Sequence, residues 1–227
     1  MSNPETPEKT VALTGFEPFA DFRVNPSWEA AKELDGKIVS SFTIKSFRIP
    51  LVYQEIKPAI TRIVDRENPA IIISLGQSYH PLISLEKVAI NLADLTESTT
   101  LYNCKTRPQD ETLEKQALNA YFSTLPLREI LRDLRKNHIP TEISYNAGTF
   151  GCNQIFFHLM HKINSEGSKA LAGFIHVPCL PSQAAQLRKQ GRRIPSMSQG
   201  TITNALEIAI KTTTFTAESS NMGAKSY

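Results

Sequence analysis

Short apolar runs alternate with longer stretches of helical periodicity along this chain. Val11-Ala12-Leu13-Thr14 is an apolar run halted by Gly15, which predicts a first strand. Asn25-Pro26-Ser27-Trp28 reads as a helix start, with Asn25 as N-cap and Pro26 where no amide is needed. Trp28, Ala31 and Leu34 share a face, and Gly36 closes that helix. Residues 38–49 alternate as one strand. Ile56, Ile60, Ile63 and Val64 recur at helical spacing, although Pro58 argues against the front half. Ile71-Ile72-Ile73, after Asn68-Pro69, suits a strand covered on both faces.

Residues 83–92 predict a second central strand, on which parity sets Glu86, Val88, Ile90 and Leu92 on one face. Residues 96–112 are polar and long for a connection, a flap or hairpin. Helices around 112–122 and 127–137 come next, then a strand at 141–145 and a helix over 152–163. Ala170 to Val177 is a buried strand stopped by Pro178. The basic stretch 188–193 reads as a surface loop, and Ser198 caps a last helix over 199–211. Segments 1–9 and 212–227 read as flexible tails. With helices and strands interleaved and no linker or repeat, the expectation is α/β. It is a single-domain α/β/α sandwich over 1–227, around a twisted, mostly parallel sheet.

Composition narrows the function classes. The chain has 227 residues, large enough to bury a core without staples, and its 41% hydrophobic and 21% charged content is that of a globular protein. A net charge of +3 is too small to point to nucleic acid, and no stretch approaches the ~20 apolar residues of a membrane span. Neither partner is expected. The start lacks a signal-peptide pattern, and three cysteines make no even disulfide framework, so a cytoplasmic protein is expected. Phosphate-cradling glycine loops, the G-x-S-x-G elbow, H-E-x-x-H and C-x-x-C are all absent. His158 and His161 lie three apart on a helix but lack a third ligand at useful spacing, so no metal is expected.

Three residues carry candidate chemistry. Cys152 opens the helix after Ala147-Gly148-Thr149-Phe150-Gly151. Unpaired amides and the positive end of the dipole there favour a thiolate and can hold an oxyanion. The bland alternative is a small apolar residue filling the first turn. His176 ends an apolar strand, where open α/β sheets collect ligands, though a lone strand histidine is more often just satisfied by backbone. Glu86 is a strand carboxylate that needs a partner if buried; otherwise it is exposed by fraying. Together they make a nucleophile, a base and an orienter. Cys179 and Cys104 are the weaker candidate nucleophiles.

Five blocks resemble the pyroglutamyl peptidase type I (pyrrolidone-carboxylate peptidase) family of cysteine peptidases. They are Thr14-Gly15-Phe16-Glu17-Pro18-Phe19 with 25–29, residues 85–91, residues 120–126, residues 146–153 and residues 173–178. The resemblance implies an omega-peptidase that removes an N-terminal pyroglutamyl residue through a thioester. Cys152 would be nucleophile, His176 base and Glu86 orienter. Phe16, Phe19 and Phe150 would form a slot for the ring, with Asn25 and Gln77 near the substrate. It also implies no cofactor, a homotetramer, and peptides with N-terminal pyroglutamate as partners. Two positions depart from the family pattern: Ser78-Tyr79-His80 follows Gln77 in place of Gly-Gly-Arg, and Thr96 stands where an arginine is usual. They raise the alternative of a catalytically impaired member that binds blocked peptide N-termini or a protein partner.

Overall fold

The computed structural model describes residues 9–95 and 108–223. The first apolar run grows in both directions: β1 covers Lys9–Phe16 and runs through Gly15. Helix α1 (Pro26–Leu34) starts as its sequence dictates, with Asn25 Oδ1 accepting from the Ser27 amide at 3.1 Å. The expected strand over 38–49 is a hairpin instead. β2 (Ile38–Val39) folds back on β3 (Phe42–Ile49), with Ser40 at φ 56° in the tight turn between them. Helix α2 (Tyr53–Glu67) includes Pro58 and is not broken by it. The proline is exposed, and water can take up the backbone bond it cannot make.

β4 (Ile71–Ser78) is buried on both faces, as its unbroken isoleucines require. The strand expected over 83–92 breaks at Lys87 into β5 (Ile83–Glu86) and β6 (Val88–Ile90), which belong to different sheets. The parity that set Glu86 beside Val88 and Ile90 therefore stops at the break. Residues 112–122 are not a helix: turns lead into β7 (Ala120–Phe122), which pairs with β6. Helix α3 (Leu127–Lys136), β8 (Thr141–Ser144), helix α4 (Gly151–Ser165) and β9 (Leu171–Pro178) follow the pattern. Helix α5 (Pro181–Lys189) takes in the front of the basic stretch expected as loop. Helix α6 (Gln199–Gly223) runs on through residues expected to be a tail. Tertiary packing explains why: Thr213 and Thr214 are fully buried and Ala217 packs on the core, so the segment is held although threonine is a poor helix former. Thr212, Thr213 and Thr216 return their hydroxyls to carbonyls four residues back, and Thr212 also reaches Asp133 of α3 at 2.8 Å.

The main sheet has the order β2-β3-β1-β4-β9-β5-β8. Pairs β3/β1, β1/β4, β4/β9 and β5/β8 are parallel, whereas β9/β5 and β2/β3 are antiparallel. One face buries Leu13, Ile73 and Ile175 under residues of α1, α3 and α6. The other buries Ala12, Ile72 and Phe174 under α2 and α4. This is a single α/β/α domain.

Candidate active site

The strand ends and one helix start meet on the α4 side of the sheet. His176 of β9 lies beside Gly76 of β4 and opposite Ser84 of β5, while Glu86 lies opposite Phe174. Residues facing one another across a pair point to the same side, so His176, Ser84 and Glu86 share one face. His176 Nδ1 is 2.7 Å from Glu86 Oε1, and Glu86 is only 1% exposed. A carboxylate buried that deeply needs a partner of opposite charge, and the imidazole supplies it.

Cys152 is the second residue of α4, after Phe150 as N-cap. Its sulfur lies close enough to the His176 imidazole to act on the charge of the ring. Burial alone would keep that imidazole neutral. The negative charge of Cys152, then the hydrogen bond and charge of Glu86, outweigh burial and raise its pKa from 6.5 to about 10. At neutral pH the ring therefore holds its proton between sulfur and carboxylate. Gly76 makes the approach possible. A Cβ there would meet Cys152 Sγ and Phe174 Cζ at 2.7 Å, so any larger residue would displace the thiol. Behind the thiol, Asn153 clamps the helix start to β6. It donates to Ile90 O at 2.8 Å and Leu92 O at 3.0 Å, and accepts from Ile90 N at 2.9 Å.

A cavity of ≈ 150 Å³ opens at Cys152, walled by Phe16, Phe19, Leu51 and Phe150 and edged by Asn25, Gln77 and residues 147–151. Sites for drug-sized ligands start at roughly 300 Å³, so this one suits a small, largely apolar group. The Phe150 ring stacks on Tyr53 at 6.3 Å, and Thr149 Oγ1 donates to Asp94 O at 2.7 Å, which together hold the rim. A larger groove of ≈ 510 Å³ between β3 and α2, lined by Arg48, Arg62 and Arg66, contains neither cysteine nor histidine. Reactive groups, not size, mark the site.

The structure sets Cys152, Phe16, Phe19, Phe150, Asn25 and Gln77 around one slot beside the His176–Glu86 pair, and it refines two of them. Asn25 borders the slot, yet its amide is engaged in structure: Oδ1 caps α1 and Nδ2 donates to Glu17 O at 3.0 Å. Gln77 is fixed from behind, donating to Cys179 Sγ at 3.0 Å and accepting from Gln183 Nε2 at 3.0 Å. Cys179 is fully buried and its thiol pKa is raised by that burial, so it serves as a prop for Gln77. Leu51, Gly76 and Gln183 went unread in the sequence, and Cys179 was read there only as a weaker nucleophile; their roles depend on tertiary neighbours that no local pattern announces. His158 and His161 diverge: His161 Nδ1 bonds Tyr121 OH at 2.9 Å, and His158 sits 3.4 Å from Glu114. Of the departures from the family pattern, Tyr79 lies under the Arg192 guanidinium at 4.9 Å. Thr96, Cys104 and most of the 96–112 flap fall outside the described residues.

A sulfur held by an imidazole and a carboxylate, at the strand ends of an α/β/α sandwich, defines a hydrolase of the cysteine type. The comparisons narrow that class. The pyroglutamyl peptidase family pattern matches residues 9–215, and the chain belongs to that family. A pyrrolidone-carboxylate peptidase of Bacillus cereus is 40% identical over 207 residues, covering 91% of this chain and 93% of the relative. The crystal structure of pyroglutamyl peptidase I from Bacillus amyloliquefaciens superposes with a TM-score of 0.82 at 36% identity, covering 91% of this chain and 95% of that one. A mutant pyrrolidone carboxyl peptidase from Pyrococcus furiosus gives 0.85 at 30% identity, covering 92% and 99%.

Proposed function

We propose that this chain is a cysteine omega-peptidase that hydrolyses the bond after an N-terminal pyroglutamyl residue. The observation that carries the reading is the Cys152–His176–Glu86 line opening onto a small aromatic slot. A flat, uncharged lactam ring suits Phe16, Phe19 and Phe150, and Gln77 offers the amide to orient it.

The steps follow from the charges. Cys152 Sγ attacks the pyroglutamyl carbonyl carbon, and the oxyanion develops beside the amides of the first turn of α4. His176 gives its proton to the leaving nitrogen, the C–N bond breaks, and a thioester remains. The now neutral His176 takes a proton from water, whose oxygen attacks the thioester. Pyroglutamate leaves, and thiolate and imidazolium are restored. Glu86 keeps the imidazole oriented throughout and favours its charged form at the start and end of the cycle.

Residence in the cytoplasm and assembly as a homotetramer belong to this reading. The first is supported by the free thiols at 152 and 179, the second by the family resemblance. The impaired-member alternative is not favoured, because sulfur, imidazole, carboxylate and slot are all present and the relatives are peptidases. Purified protein should release the amine from a pyroglutamyl anilide, and Cys152→Ala or prior thiol alkylation should abolish release. Turnover that survives both would sink the assignment.

A further inference from the structure

A second cavity opens on the other side of the His176–Glu86 pair. It measures ≈ 310 Å³, about twice the aromatic slot, and shares with that slot only Ala147 and Gly148. Its walls are polar: Ser78, His80, Ser84, Glu142, Ser144 and Asn146, with Glu86 and His176 at the inner end. Strand register explains the grouping. Ser84 pairs with both His176 and Glu142, and Glu86 pairs with Ser144, so these side chains project from the same face of β9, β5 and β8. The sheet therefore carries an apolar pocket, then the reacting groups, then a polar pocket, in one line.

We infer that this polar cavity is the leaving-group subsite, which receives the residue after pyroglutamate, and that Glu142 selects its charge. The inference rests on the pyroglutamyl-peptidase reading above. If the ring fills the slot beside Cys152, the scissile nitrogen must lie towards His176, its proton donor. The peptide beyond that nitrogen then runs past His176 towards this polar cavity, whose wall His176 forms. Two observations support an occupant. Glu86 Oε2 is buried with no hydrogen-bond partner among the described residues, at the inner wall of this cavity. A peptide amide donating there would satisfy an oxygen that is costly to leave unpaired. Among the described residues, Glu142 is the carboxylate on the walls with no cation beside it. Ser84 Oγ donates to it at 3.0 Å, and no lysine or arginine lines the cavity. A basic side chain in the second position gains from Glu142, an acidic one is repelled, and the volume admits either.

The test compares kcat/KM for pyroglutamyl-lysyl and pyroglutamyl-glutamyl peptides of equal length in wild type, Glu142→Gln and Glu142→Lys. Wild type should prefer the lysyl peptide by about fivefold at low salt, the size expected of a partly exposed pair, and less at high salt. The preference should shrink in Glu142→Gln and reverse in Glu142→Lys. The wild-type salt dependence needs no variant, so a poorly folding substitution does not blunt the test. Hydrolysis of both peptides with one unvarying ratio across proteins and salt overturns the subsite while leaving the peptidase standing. Failure to hydrolyse any pyroglutamyl substrate overturns both.

Discussion

At the scale of single residues, the site turns on how His176 is charged. Burial opposes its proton, and two anionic neighbours hold it on, raising its pKa to about 10. A group whose pKa is raised keeps its proton, and the function that depends on it, up to that value. It loses both as pH climbs through it. The alkaline limb of kcat/KM should therefore fall near pH 10. Glu86→Gln keeps the shape but removes one anion, so the limb should move down by about one unit, with a lower plateau. A pH–rate profile of the two proteins decides this, and coincident limbs would show that Glu86 does not hold the proton. Gly76 shows the same dependence in steric form, since its missing Cβ is what lets the sulfur sit against the imidazole.

At the scale of elements, Asn153 is a main anchor of the start of α4, beside Gln154, which donates to Tyr53 O at 2.7 Å. Asn153 makes three hydrogen bonds, two to Ile90 of β6 and one to Leu92 just beyond it, and it is 1% exposed. Asn153→Ala should cost about 2–3 kcal/mol of stability, at roughly 1 kcal/mol per bond. It should also loosen Cys152, lowering kcat more than KM. Thermal melts and steady-state kinetics check both, and an unchanged kcat would mean that the clamp is structural only. Much of this level was legible in the sequence. Asn25-Pro26 marks α1, the Ile71-Ile72-Ile73 run marks β4, and the Phe150-Gly151-Cys152 junction marks the helix start that bears the thiol. The misses share a cause: tertiary partners outvoted local pattern. Residues 83–92 alternate as one strand, but the Lys87 amide donates to Ser144 O while its carbonyl accepts from Ser123 N, which splits them between two sheets. Glu86 was found all the same, because a strand carboxylate needs a partner whatever the register. Gln183 was not, since its role exists only where α5 meets the end of β4.

At the scale of the molecule, the antiparallel β9/β5 pairing brings residues 90 positions apart into a 2.7 Å contact. Stability and catalysis also draw on different histidines. His158 is 5% exposed, and burial pushes its pKa down to about 4. A depressed histidine pKa means that the unfolded chain takes up the proton first. Stability is then full above about pH 6.5 and falls as pH drops towards 4, by up to about 3 kcal/mol. His158→Gln should remove much of that acid loss without moving the alkaline limb of activity. Melting temperatures across pH 4–7 test it; an identical acid slope would place the sensitivity elsewhere.

The most direct measurement of the central claim is intact-protein mass after mixing with a pyroglutamyl substrate and rapid acid quench. The expected result is a single pyroglutamyl adduct that maps to the peptide carrying Cys152, is released by hydroxylamine, and is missing from Cys152→Ala. Steady turnover by a protein that never carries the acyl group on that sulfur would contradict it.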